Sequence, residues 1–267
     1  MFKSADHNPD YLKLVQYRNR SNLDARIELH RRFSTNSLGL HTWVFDQLAT
    51  GLHGRVLEVG CGIGTLWETN MERIPERMQL VLSDFSQGMV EEASKNLTNR
   101  VNADFVVVDV QHMPFKDGSL DAVIANHMLY HVPSLDQTIA EIWRVLAPGG
   151  LLFATTNGQN HLKELDAIAR RFNPRYLKDD SADRFGLENG ASIIAQRFPK
   201  ATLTRFPDSL VVTEAEPLVD YILSMPSGTA LGQDKVAEMT KFVEGLVSST
   251  GSITIRKESG IFIASKQ

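Results

Sequence analysis

The chain has 267 residues, 42% hydrophobic and 22% charged, an ordinary globular composition with material for a sizeable core. Net charge is −4 and the pI is about 6.1, so no global basic footprint points to nucleic acid; Cys61, the single cysteine, excludes an internal disulfide framework and a cysteine-rich zinc site. No window approaches the roughly eighteen apolar residues of a membrane span, and the first twenty residues hold no apolar core of signal-peptide length. The cytoplasm is the expected location.

In chain order, residues 10–20 and 22–33 read as two helices, the second opened by Ser21 with Asp24 three residues later, a variant of the capping box. A third helix runs from about Ser37 to Thr50 and stops at Gly51. The pattern then changes to short β-rich runs at 55–59, 79–83, 104–108, 120–125 and 151–155, with helical stretches at 64–73, 86–98 and 135–146 between them. Near-continuous apolar strands alternating with amphipathic helices predict a parallel sheet covered on both faces, a doubly wound α/β core.

The last third is less regular. "ATLTRFPDSLVVT" (201–213) and "SITIRKESGIFIASK" (252–266) each read as two strands around a turn, and the final hairpin is expected to complete the main sheet. Helices are expected over 159–171, 188–197, 215–224 and 233–247. The division that follows is an N-terminal helical cap (1–51), an α/β core (52–157), and C-terminal insertions on the substrate side with the terminal hairpin (158–267).

"RVLEVGCGIGTLWE" (55–68) sets three glycines, Gly60, Gly62 and Gly64, between a strand and a helix. Glycine permits positive φ and close backbone approach to a ligand. A dinucleotide fingerprint places its third glycine at position 65, which is Thr65, and no Lys-Ser/Thr pair of a phosphate loop follows. A pyrophosphate cradle, and with it nicotinamide chemistry, is disfavoured. Asp84 ends the second strand, where an acid can accept hydrogen bonds from both ribose hydroxyls; capping the next helix is the competing role, for which Ser86 is available. Asp109 ends the third strand, where a carboxylate can accept the amino group of adenine or stand as a solvated loop acid. Three successive strand tips carrying glycines, an acid and an acid line the edge where such sheets bind ligands.

Together with "LVLSDFSQGMVEEA", "FVVVDVQHMPFKDGSLDAVIANHMLYHV" and "IWRVLAPGGLLFATT", this stretch resembles the class I S-adenosylmethionine-dependent methyltransferases over about residues 52–157. The likeness is to the small-molecule type that includes ubiquinone-pathway and glycine N-methyltransferases. It implies a Rossmann-like seven-stranded sheet, S-adenosyl-L-methionine as cofactor and a small-molecule methyl acceptor. By the same resemblance, the backbone of Gly60, Cys61, Gly62 and Gly64 contacts the methionine part, with Glu58 shaping the turn. Asp84 holds the ribose. Phe85 and Met89 flank the adenine, unless they are core residues, Asp109 and the backbone of Val110 read its edge, and Asn126 offers its carbonyl to the ammonium.

His127, Tyr130 and His131, just past the fourth strand, are the candidates to face the transferred methyl. His131 is the candidate base, because histidine titrates near working pH; Tyr130 is a pocket wall or donor. Arg26, His30 and Arg32 read first as a solvated basic face on the N-terminal helix, with pairing to the cofactor's carboxylate as the alternative. The eight histidines fall into no spacing that suggests a metal site. The competing functions are a tRNA or protein methyltransferase, and a sensor that binds the cofactor without turnover.

Overall fold

The computed structural model describes residues 21–49, 53–76, 78–178, 180–225 and 231–267, with the side chains of 21–24 left out. The helix expected over 10–20, the capping-box side chains at Ser21 and Asp24, and Gly51 lie outside the described residues or side chains. Among the described residues no helix is long and apolar enough to cross a membrane.

The described residues form two compact units, one from within 40–159, 181–206 and 259–267, the other from within 21–39, 160–180 and 207–258. This division differs from the three consecutive parts expected from sequence. The helix of residues 40–48 belongs with the sheet, and 160–180 and 207–258 belong with the first helix.

The first unit is built on strands β1 (Arg55–Val59), β2 (Gln79–Asp84), β3 (Ala103–Val107), β4 (Leu120–Asn126), β5 (Leu146–Asn157), β6 (Ala201–Phe206) and, at the end of the chain, β9 (Ser259–Ser265). They form one seven-stranded sheet of order β3-β2-β1-β4-β5-β9-β6. The five leading strands are parallel; β9 runs antiparallel between β5 and β6.

Side chains alternate across the pleat, so each face buries its own set. Leu57, Val59, Val81, Val123 and Ala125 share one core, while Val56, Leu80, Leu82, Ala122 and Ile124 share the other. Helices supply the cover. Leu135–Val145 faces the first core with Ile139, Ile142 and Val145, its start fixed by Ser134 Oγ accepting Gln137 N–H at 3.3 Å. Gln87–Leu97 buries Ala93 and Leu97 in the second core, beside Trp67 of the short helix Thr65–Thr69 and Trp43 and Phe45 of the helix Leu40–Leu48.

The register sets the functional edge. Val59 pairs with Ser83 and Ala125, Asp84 with Val107, and Asn126 with Thr155, so the carboxyl ends of β1 to β5 are level. β1 lies between β2 and β4, where the strand order reverses, and open α/β sheets bind ligands in the crevice at that point.

The second unit packs the helices α1 (Ser21–Phe33), α2 (Lys163–Phe172), α3 (Ala215–Ser224) and α4 (Gln233–Thr250) with a two-stranded ribbon of β7 (Ser209–Val212) and β8 (Ile253–Arg256). Its core includes Leu29, Phe33, Leu165, Leu218, Ile222 and Met239.

The two strand pairs expected as hairpins are not hairpins. β6 pairs with β9 in the sheet and β7 with β8 in the ribbon. The turns at Pro207-Asp208 and Glu258-Ser259 are two of the places where the chain passes from one unit to the other. Of the two strands expected in the final hairpin, only β9 joins the main sheet. The four-residue helix Ser181–Arg184, not expected from sequence, is too short to carry a periodic signal.

Candidate functional site

Gly60, Gly62 and Gly64 all have positive φ, at 69°, 55° and 84°. A Cβ on Gly60 would stand 2.8 Å from Met128 Cβ, and one on Gly64 would stand 2.6 Å from Leu97 Cδ1. One on Gly62 would meet nothing within 4 Å. The outer glycines allow packing behind the turn; the middle one fronts open space. Cys61 N–H donates to Ser83 O at 2.8 Å and Gly64 N–H to Cys61 O at 3.0 Å, tying the turn to β2. Burial pushes the Cys61 thiol up, so it stays protonated.

Asp84 is fastened at both oxygens. Oδ2 accepts Gly62 N–H at 3.0 Å and Oδ1 accepts Ser86 N–H at 2.8 Å. Ser86 occupies the N-cap position of the helix Gln87–Leu97 but makes no side-chain cap bond there, so the cap role that was expected of its hydroxyl is not filled by it. Burial raises the Asp84 pKa against the opposing pull of these backbone donors. Each oxygen keeps a lone pair for a further donor. Phe85, next along, is 44% exposed and so is no core residue; Met89 is half-buried.

Asp109 makes its bonds within its own loop. Oδ1 accepts Gln111 N–H at 2.9 Å, and Oδ2 lies 3.4 Å from His112 Nδ1. Val110 beside it is buried, and Val108 N–H donates to Asp84 O at 3.1 Å, which holds the second and third strand tips together.

Glu58 is almost fully enclosed, at 2% exposure. Trp67 Nε1–H donates to its Oε2 at 2.6 Å and Asn126 Nδ2–H to its Oε1 at 2.9 Å. Burial, opposed by these two donors and reinforced by Asp84, raises its pKa to about 7. The chain of bonds continues. Thr155 Oγ donates to Asn126 Oδ1 at 3.0 Å and accepts His127 N–H at 3.0 Å. His127 is thereby held in the left-handed region at φ 49°, a strained conformation for a residue with a Cβ.

From His127 the chain enters a single 3-10 turn, Leu129–His131. Leu129 is fully buried and Tyr130 packs partly buried beside the same core. The rings of Tyr130 and His131 meet edge to face, with centroids 4.5 Å apart. Trp67, Thr155 and Met128 complete this site and were not singled out from sequence. The one available signal was a threonine ending the apolar run "LLFATT".

The cations of the first helix serve their own unit and are not simply a solvated face. Arg26 donates to Ser224 Oγ at 3.1 Å and to Ser224 O at 2.8 Å, at the C-terminal end of α3, where the helix dipole favours positive charge. Arg32 pairs with Glu214 at the other end of that helix, and His30 sets its ring edge-on against Tyr221 at 5.9 Å. Arg31 bonds Glu28 at the surface, as a charge run on a helix commonly does.

Comparison with known proteins agrees with this geometry. A family of methyltransferase domains matches residues 57–154. The malonyl-[acyl-carrier protein] O-methyltransferase of Geobacter sulfurreducens is 34% identical over 116 residues, 43% of this chain and 43% of that protein. The ubiquinone/menaquinone biosynthesis C-methyltransferase of Desulfotalea psychrophila is 36% identical over 97 residues, 36% of this chain and 39% of that protein. The matched stretch thus spans less than half the length of either relative.

Among solved structures, Haemonchus contortus phosphoethanolamine N-methyltransferase 2 in complex with S-adenosyl-L-methionine aligns with a TM-score of 0.58 at 17% identity, over 99% of this chain and 60% of that one. The YcgJ protein of Bacillus subtilis aligns with a TM-score of 0.58 at 17% identity, over 85% of this chain and 99% of that one. At such identity these likenesses speak for fold. Residues 57–154 thus match a family of methyltransferase domains, and the solved structures share the fold.

Proposed function

We propose that the chain transfers a methyl group from S-adenosylmethionine to a small-molecule acceptor. The observation that carries this is the joined pair of strand tips: a glycine turn open at Gly62, with Asp84 fastened to that glycine's N–H and an exposed aromatic, Phe85, directly after it. These residues suit the cofactor. The backbone at 60–64 would take the methionine part, Asp84 the ribose hydroxyls, Phe85 and Met89 the adenine faces, and Asp109 with Val110 its edge. Asn126 would present its backbone carbonyl to the ammonium, while its side chain is already engaged with Glu58 and Thr155.

The bound cofactor supplies a methyl already activated on a sulfonium. The protein's task is then to hold the acceptor in line and keep water out. His127, Tyr130 and His131 stand on the loop after β4, which is anchored by Leu129 and by the Thr155 bond to His127 N–H. If the acceptor must lose a proton, His131 is the assigned base and Tyr130 a wall or donor. Nothing favours a nucleic-acid substrate in a chain of net charge −4.

Calorimetry with S-adenosylmethionine, S-adenosylhomocysteine and NAD tests the site; tighter binding of NAD would end this proposal. Incubation with isotopically labelled cofactor and lysate fractions then identifies the product by mass. Binding without any labelled product would instead favour a sensor. With the substrate in hand, His131→Gln should lower the transfer rate by about 10²–10⁴-fold if His131 is a base. Full activity in that variant would leave proximity as the source of catalysis.

A further inference from the structure

Glu58 is a carboxylate held by neutral donors. Trp67 on the short helix after the glycine turn and Asn126 at the tip of β4 each give it one N–H. Ser83 on β2 donates to its backbone carbonyl at 2.9 Å, and the charged or titratable groups that bear on it among the described residues are Asp84 on β2 and Cys61 in the turn. Asp84 opposes its ionisation, and Cys61 stays protonated. A carboxylate so enclosed lacks only a nearby positive charge to hold it ionised. It lies two residues before the glycine turn, and its partner Asn126 is the residue at the tip of β4.

We propose that Glu58 is a specificity-determining residue that favours the cationic cofactor over the neutral product, giving up its proton when S-adenosylmethionine occupies the turn and regaining one when S-adenosylhomocysteine does. This rests on the assignment of the glycine turn as the cofactor site. The two ligands share a carboxylate and an ammonium and differ by the sulfonium charge. In a water-poor site an added unit charge is felt by an enclosed carboxylate much more strongly than in water. The ionised form also suits its surroundings, since both oxygens already face donors. The resting acid titrates at about 7, so the exchange falls within the ordinary working range of pH.

The experiment is calorimetric titration of the full chain and of Glu58→Gln with each ligand between pH 6 and 8. A carboxyl with a midpoint of about 7 that is fully ionised in the complex tightens binding about tenfold over that span. The Kd for S-adenosylmethionine should fall by about that factor in the wild type, and that for S-adenosylhomocysteine by less than about threefold. The ligand's own amino group titrates at about 7.7–8.0 in model compounds. That contribution is common to both proteins, so the difference between wild type and Glu58→Gln belongs to Glu58.

Equal pH dependence for both ligands, or dependence that survives unchanged in Glu58→Gln, overturns the proposal while leaving the cofactor site intact. Failure of the wild type to bind either ligand overturns the site itself. Should Glu58→Gln not fold, proton release by the wild type decides. Titration at pH 7 in buffers of different ionisation heat should show release with S-adenosylmethionine and little with S-adenosylhomocysteine; equal release with both overturns the proposal.

Discussion

Asp84 serves the fold directly, and under the proposed function it would serve the ligand as well. Its two bonds to Gly62 and Ser86 N–H fix the turn and the start of the next helix, and each oxygen keeps a lone pair for a further donor. Asp84→Ala should weaken S-adenosylmethionine binding by about 1.5–3 kcal/mol, the range for hydrogen bonds to a charged group. The far-ultraviolet circular dichroism should stay native, because the residue is not part of either apolar core. An unchanged Kd would remove Asp84 from the site.

His127 poses a different problem at the same scale. Its backbone is left-handed, which glycine adopts without strain. His127→Gly should therefore keep the Thr155 bond and change stability by no more than about 1 kcal/mol. Any loss of methyl transfer in that variant reports the imidazole and not the loop. Loss of both together would mean that the side chain holds the segment in place.

At the scale of elements, the three glycines of one turn separate into two jobs. An alanine at Gly64 drives its Cβ into Leu97, in the core between the turn and the helix Gln87–Leu97. An alanine at Gly62 carries only the left-handed penalty, about 1–2 kcal/mol. Gly64→Ala should thus lower Tm more than Gly62→Ala, while Gly62→Ala should lose cofactor affinity out of proportion to its stability. Thermal melts and calorimetry on the two variants test this; parallel losses in both would mean that the turn is only a connection.

The strands and helices of the core were legible in sequence because apolar runs and periodic faces are local signals. The glycine turn and the acids at the strand tips were legible for the same reason. The bonds joining Glu58 to Asn126 and Asn126 to Thr155 were not, since they link residues 68 and 29 positions apart. The strands β6 to β9 were expected, but their partners were not, because a turn between two β-rich runs looks the same whether its strands pair or part.

At the scale of the whole molecule, the two units can be told apart by a substitution confined to one of them. Asp208 and Lys257 form an ion pair whose side chains are 0% and 7% exposed, next to two of the points where the chain changes unit. Asp208 also accepts Ser34 Oγ–H at 2.5 Å, Asn36 N–H at 3.0 Å and Ser209 N–H at 2.8 Å. Burial pushes its pKa up, but Lys257, Ser34 and the backbone donors outweigh it and hold it below the usual value of 3.8. The sign follows: a depressed carboxylate contributes stability above its unfolded pKa and loses it as pH falls through the folded one. Lys257→Met leaves that carboxylate enclosed without its cation, a change that costs about 3–5 kcal/mol when a buried pair is broken from one side. Hydrogen exchange at neutral pH should show the loss in β7, β8 and α3, with β1, β2 and β4 keeping their protection. The penalty should also shrink as pH falls towards 3, because protonation relieves the stranded charge in the variant while the wild type gives up the pair. Uniform exchange through both units would show that they unfold as one; an unchanged penalty at low pH would mean that the lysine acts through its packed stem and not its charge.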